Sequence, residues 1–377
     1  MNRPQPPLAQ RFDGATAEPV EPCHWTQRPA SIYLSPMTTI QTATVNQLEN
    51  LDEELEGILT SFDSSYAWNY GSVKEGLRDL YEKAKREQWN GTEQLDWATD
   101  VDPEHGILPD FTNPLIGYAP FEKLDAKEKA RLRHGQVALQ LSQFLHGEQG
   151  ALIVASQLVG AVPWIDAKYY ASTQTMDEAR HVEVFGRYLR EKLEWQWPVN
   201  DRLKELLDAT ITDSRWDFKY LGMQIIIEGL AMAAFGNLYQ ITQEPLLKEL
   251  IHYVMRDESR HVAFGVVSLQ GYYDDMSESD LREREDFIIY ACDLMKNRLV
   301  GDQIADAMGW NRDEVRDTVL ESEVGRAFRA SLFKRIVPNI KRLGFLTPRV
   351  RQSFSDLDIL QFEDADPEAQ DRELGLA

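Results

Sequence analysis

One pattern constrains this chain more than any other. Asp-Glu-x-Arg-His occurs twice, within DEARHV at 177–182 and DESRHV at 257–262, with the two copies 80 residues apart. Each copy has a second glutamate 30 residues upstream: Glu148 before Glu178, and Glu228 before Glu258. Residues three apart share a helix face, so Glu178 with His181, and Glu258 with His261, can each present two ligands together. The upstream glutamates lie in apolar text, FLHGEQGALIVA and MQIIIEGLAMAAF. Turn signals near Ala161–Pro163 and Gln243–Pro245 fall midway within each 30-residue interval. At about 1.5 Å of rise per residue, both members of each pair sit roughly 22 Å from their turn. Two antiparallel hairpins therefore bring six side chains to one level.

The rest of the chain reads as helix around that centre. Apolar residues recur at three or four positions over about 44–62, 72–89, 122–161, 164–193, 201–209, 213–241, 245–272, 279–300, 302–308 and 312–341. The expectation is an all-α protein whose core is a four-helix bundle with additional N- and C-terminal helices. Residues 1–45, with seven prolines, read as an irregular arm, 46–120 as N-terminal helices and loop, 121–345 as the helical domain, and 346–377 as a solvated acidic tail.

Energetics gives the six residues a purpose. A carboxylate on a Leu/Ile/Ala face costs several kcal/mol unless it is protonated, paired or metal-bound. Four at one depth repel one another, and two divalent ions cancel four charges. Carboxylate and imidazole together suit iron or manganese. The bland alternative, a solvated charged face with a chance histidine, fits one motif but not two with matched upstream glutamates. The expected metal ligands are thus Glu148, Glu178, His181, Glu228, Glu258 and His261. Asp177 and Asp257 are expected to orient the imidazoles across the bundle, Asp177 to His261 and Asp257 to His181, with Arg180 and Arg260 neutralising them. Gly147, Gln224, Ala231, Met232 and Phe235, each near a ligand, are candidate pocket residues.

The formal charge of −22 is concentrated in 46–110 and 356–377, and none of the four expected regions carries a net positive charge. That disfavours nucleic acid and anionic membrane surfaces as partners. The apolar run Ala151–Ile165 is broken by polar residues and Pro163 and is too short for a bilayer. Two cysteines, Cys23 and Cys292, and an N-terminus without an apolar signal region make a cytoplasmic location the expectation.

At these residues the chain resembles the ferritin-like di-iron carboxylate superfamily, in which one Glu from each of two helices joins Glu-x-x-His from each of the other two. QTMDEARHVEVF at 174–185 and MRDESRHVAFG at 255–265 look like motifs of bacterial multicomponent monooxygenase hydroxylases and p-aminobenzoate N-oxygenase-like proteins. YEKAKREQWN at 81–90 and LDW at 95–97 are similar to text in such monooxygenases. The resemblance implies a cofactor of two iron ions (Fe2+/Fe3+), with O2 as co-substrate and a small, partly apolar organic substrate oxidised by hydroxylation, N-oxygenation or desaturation. It also implies a ferredoxin or flavin reductase as electron donor and a homodimer. Three positions depart from named subfamilies. Phe185 stands where ribonucleotide reductase small subunits place a radical tyrosine, Val254 where the N-oxygenases have an extra histidine, and Met232 where the hydroxylases often have threonine. Some relatives with Phe at the first position use a mixed Mn/Fe site. A radical-generating subunit and a ferroxidase or iron-storage protein are the alternative readings. The extra helices outside the bundle favour an enzyme over storage.

Overall fold

The computed structural model describes residues 57–102 and 106–376, and among these there is no strand. The arm over 1–45 and most of the helix expected over 44–62 lie outside the described residues, and 57–62 are not helical. In chain order, α1 (Glu75–Arg86), α2 (Gly91–Gln94) and α3 (Ala119–Glu122) precede α4 (Ala126–Ala161) and α5 (Ile165–Tyr188). Next come α6 (Asp201–Thr212), α7 (Trp216–Tyr220), α8 (Glu228–Ile241) and α9 (Pro245–Leu269). Seven further helices close the chain: α10 (Glu278–Asn297), α11 (Asp302–Met308), α12 (Arg312–Glu321), α13 (Glu323–Ser331), α14 (Ile336–Arg342), α15 (Pro348–Asp356) and α16 (Pro367–Glu373).

Local chemistry sets the two hairpins. Asp125 opens α4 with a capping box, its side chain accepting from the Glu128 backbone while Glu128 reaches back to the Asp125 amide. Pro163 follows the end of α4, and α5 begins two residues later. The second hairpin turns between Ile241 and Pro245, where the Glu244 carboxylate caps α9 by accepting from the Leu246 and Leu247 amides. A π-helical stretch, Leu221–Ile227, joins α7 and α8 into one 26-residue rod, Trp216–Ile241. That rod is long and apolar enough to cross a membrane, but 89% of its apolar stretch is buried, as befits the central helix of a bundle. α4 packs on α5, the rod on α9, and α5 on α9. At Gly265 of α9 an added Cβ would lie 2.7 Å from Gln224 Cβ, so glycine lets the rod approach α9 closely.

α1 lies against α5 and α9. Its entry is fixed by Asp166 of α5, fully buried, which accepts from the Val73 and Lys74 amides at 2.7 and 3.0 Å and pairs with Arg78 at 2.7 Å.

Two expectations need correction. The helix expected over 312–341 is three helices. Ser322 ends α12 and caps α13, and an added Cβ at Gly325 would sit 2.4 Å from the Val319 carbonyl oxygen, a close approach that glycine permits. The C-terminal segment is not a solvated tail. Leu376 is buried, Asp371 pairs with buried Arg335 at 2.6 Å, and Ser259 of α9 donates to Asp371 at 2.9 Å. Three more of its acids, Asp364, Glu368 and Glu363, pair with Lys341, Arg342 and Arg351. Acidic composition alone does not separate such paired acids from free chain.

Candidate metal centre

Each of the four core helices delivers its glutamate to one point. Glu148 comes from α4, Glu178 and His181 from α5, Glu228 from the first position of α8, and Glu258 and His261 from α9. None of the six is more than 5% exposed. Around His181 Nδ1 stand Glu148 Oε2 at 3.2 Å, Glu178 Oε2 at 3.3 Å and Glu258 Oε1 at 3.1 Å. Around His261 Nδ1 stand the opposite oxygens of the same two carboxylates, Glu178 Oε1 at 3.1 Å and Glu258 Oε2 at 3.5 Å. Glu228 joins the second group, with its ligand atoms and those of Glu178 and His261 within 4.8 Å of one another. Glu178 and Glu258 therefore span two half-sites, while Glu148 and Glu228 each belong to one.

Five of the inner atoms lack a hydrogen-bond partner. Glu178 Oε2, Glu228 Oε2, both Glu258 oxygens and His261 Nδ1 are buried without a hydrogen bond. Buried polar atoms are almost always satisfied, so five at one centre require something else there. Electrostatics agrees. Burial, and then the Glu258 charge, push Glu148 and Glu228 well above the usual carboxylate range. Burial opposes charge on Glu178 and on both imidazoles. For Glu178 it is outweighed by His261 and His181, which hold it low. The surrounding carboxylates raise His181 and His261 well above their usual range. The centre recruits positive charge. Four carboxylates and two imidazoles, bridged in this way, are a donor set that fits two divalent cations.

No family model matches the chain, and no curated protein matches it. Solved structures that it resembles are R2-like ligand-binding oxidases. A point mutant with anaerobically reconstituted Mn/Fe cofactor is 22% identical over 71% of this chain and 92% of that one, with a TM-score of 0.45. Forms with aerobically reconstituted cofactor, one after photoconversion and one described as Mn/Fe after a long soak, are 20% identical over the same shares, each with a TM-score of 0.47.

Outside the six residues lies a charged layer that crosses the bundle. Asp257 Oδ2 is 3.1 Å from His181 Nε2, and Asp177 Oδ2 is 3.3 Å from His261 Nε2. With Nε2 so engaged, each Nδ1 turns inward. Arg180 donates to Asp177 and, at 3.2 Å, to Asp257, and Arg260 donates to Asp257 and, at 3.5 Å, to Asp177. The two Asp–Arg pairs thus interlock rather than stand separately.

Four contributors escaped the sequence reading. Gln88 Nε2 donates to Asp177 at 2.8 Å, the Trp89 indole donates to Asp257 at 2.7 Å, and Glu87 accepts from Arg260 at 2.6 Å. All three follow directly on α1, within the monooxygenase-like text at 81–90. Gln174 is the fourth, donating from Nε2 to Glu178 at 3.0 Å and to Glu228 at 2.7 Å. Its position one turn before Glu178 was the available signal.

The candidate pocket residues divide. Met232, Phe235 and Gln224 are fully buried in the bundle, Gln224 donating to Gln174 at 3.5 Å. Ala231 is partly buried, and an added Cβ at Gly147 would meet open space. None of the five lines the cavity of about 540 Å³ that abuts the bundle; its wall on α8 includes neighbouring positions such as Leu230, Ala234 and Leu238. The face of α8 carrying Met232 and Phe235 points inward, and the cavity lies one face around. Phe144 lines that cavity and packs edge-on against Phe235 at 4.5 Å, while Phe185 lies 5.8 Å from Phe235 and 6.0 Å from Phe144.

Proposed function

We propose that this chain is an O2-dependent di-metal oxidoreductase that oxidises a small, partly apolar organic molecule. The observation that carries it is the pair of half-sites spanned by Glu178 and Glu258, in which five buried ligand atoms have no hydrogen-bond partner. Glu148, Glu178, His181, Glu228, Glu258 and His261 are the proposed ligands, and a pair of redox-active ions bound there would supply the redox chemistry that couples reduction of dioxygen to oxidation of the substrate. Iron is the first assignment, with Mn/Fe as the second to be tested.

The side chains have separable tasks. Asp257 and Asp177 accept hydrogen bonds from Nε2–H of His181 and His261, leaving each Nδ1 lone pair directed at the centre. Gln174 ties Glu178 to Glu228 and limits how far either carboxylate can swing. Phe144, Phe185 and Phe235 exclude water on the side facing the cavity. Phe185 has no phenol to oxidise, which supports substrate oxidation over storage of a radical at that position. Hydroxylation, N-oxygenation and desaturation are all within this reading, with a ferredoxin or flavin reductase as the proposed electron donor and a homodimer as the proposed assembly.

Anaerobic ferrous loading tests the proposal. About two irons per chain should bind, and admission of O2 should produce a transient visible absorbance that Glu228→Ala abolishes. Assembly into a large shell that takes up iron far beyond the ligand set would point to storage instead. A stable tyrosyl radical would replace the oxidase reading with a radical-generating one.

A further inference from the structure

The cavity beside the bundle contains one charge that nothing answers among the described residues. Its charged or ionisable lining groups are Arg133, His134, Arg298, Asp302 and Arg329. Arg133 pairs with Asp110, His134 Nε2 sits 2.9 Å from the Leu193 carbonyl, Asp302 pairs with Arg316 at 3.0 Å, and Arg329 donates to the Val319 carbonyl at 2.9 Å. Arg298 has no such contact among the described residues. Its Nε and Nη1 are buried with no hydrogen-bond partner. Burial alone, with no anion beside it, lowers this guanidinium to about 10. Much of the remaining wall is apolar, including Val137, Phe144, Leu230, Ala234, Leu238 and Leu332.

We infer that this cavity binds an amphipathic monocarboxylate, its head on the Arg298 guanidinium and its apolar body against Phe144, Leu230 and Ala234. A buried, unpaired guanidinium is costly, and a structure retains one where a ligand completes it. A carboxylate matches the planar fork with two parallel hydrogen bonds. A neutral ligand leaves the Arg298 charge uncompensated, whereas one carboxylate answers it. The volume, about 540 Å³, is within the range of small-molecule sites. Phe144 stands one turn before Glu148 on α4, so the apolar end of the ligand lies on the side facing the metal centre. The site gives the proposed oxidase a substrate class, but binding does not depend on turnover.

The test uses the full-length chain with its metal content measured, under nitrogen, titrated calorimetrically with octanoate and octanamide and with phenylbutyrate and its amide. Each acid should bind about tenfold or more tightly than its amide, the usual value of a charge-assisted pair. Arg298→Gln should bring acid and amide within about twofold while leaving amide affinity unchanged, and Arg298→Lys should keep part of the preference. Ala234→Leu, which fills the cavity, should weaken both ligands about tenfold. Removal of an unpaired buried charge should leave the melting temperature of the ligand-free Arg298→Gln protein unchanged or higher. Equal affinity for acid and amide in the unaltered protein overturns the inference. So does a preference that survives Arg298→Gln, as it would if the carboxylate sat on the metal centre, or unimpaired binding by Ala234→Leu. Loss of the carboxylate preference would leave the oxygen-dependent absorbance intact, and loss of that absorbance would leave the preference intact.

Discussion

The two hairpins that build the candidate metal centre carry the same proposed ligands and surround them differently. One turn before Glu148 the first hairpin has Phe144, whereas one turn before Glu228 the second has Gln224. One turn before the motif glutamates stand Gln174 and Val254 respectively. The amides meet: Gln174 bonds Glu178 and Glu228, and Gln224 bonds Gln174, so the Glu228–His261 half-site is braced by a polar network. The Glu148–His181 half-site is flanked by Phe144 and Phe185, beside the cavity. Helix geometry differs too, with α4 regular through Glu148 and a π-helical stretch ending directly before Glu228. A near-repeat in sequence has become a division of labour, one half-site held by amides and the other left beside apolar space.

That comparison can be broken most directly at the bridges. Glu178→Ala and Glu258→Ala each strip both half-sites of a ligand, so metal content should fall from about two ions per chain to below one, as elemental analysis would show. Glu148→Ala and Glu228→Ala should each cost one ion; two ions retained in either variant would remove that glutamate from the ligand set. The next largest effect belongs to the crossing aspartates. Asp257→Asn and Asp177→Asn should each weaken metal binding by about 10- to 100-fold. Asp257 also holds the Trp89 indole and both arginines, so its loss should lower thermal stability by about 3 kcal/mol or more.

Acidity offers a third test. Without metal, Glu148 and Glu228 are held as acids and His181 and His261 as imidazolium, because burial penalises the first pair and carboxylates surround the second. Filling the centre near neutral pH should release protons. Apparent affinity should therefore rise with pH, and calorimetry in buffers of different ionisation enthalpy counts the protons. Zero release would mean that the imidazoles and acids are already deprotonated. The smallest effect sharpens the asymmetry itself. Gln174→Leu should weaken the Glu228–His261 half-site by about tenfold, the value of a hydrogen bond to a charged group. Phe144→Leu should leave both metal affinities within about twofold and alter ligand affinity in the cavity instead.

What could be read from sequence depended on periodicity. The matched 30-residue intervals placed the glutamates at one depth because α-helical rise is constant and the turns at Pro163 and Pro245 are marked by proline. The positions of Asp177 and Asp257 were readable because each precedes a motif glutamate. Gln88 and Trp89 were not readable as partners, since their contacts join α1 to α5 and α9 across large sequence separations. The π-helical stretch left no periodic mark in a rod that is apolar on nearly every face. None of the five expected pocket residues lines the cavity for a related reason: proximity to a ligand along a helix does not say which side of that helix faces empty space. Arg298, at the end of α10, is an ordinary basic residue in sequence and becomes unusual once the cavity and its missing counter-charge are known.

The docking of α1 by Asp166 has a consequence for modularity. Four helices supply the proposed ligands, yet the aspartates that aim the imidazoles are themselves held by Gln88 and Trp89, outside the bundle. A fragment trimmed to residues 121–345 would keep every ligand and lose those braces, opening the Asp–Arg layer to water. The smallest autonomous metal-binding piece of this chain is therefore larger than its bundle. Transplanting the centre to another scaffold means carrying α1 with it, together with the carboxylate on α5 that holds its first turn in place.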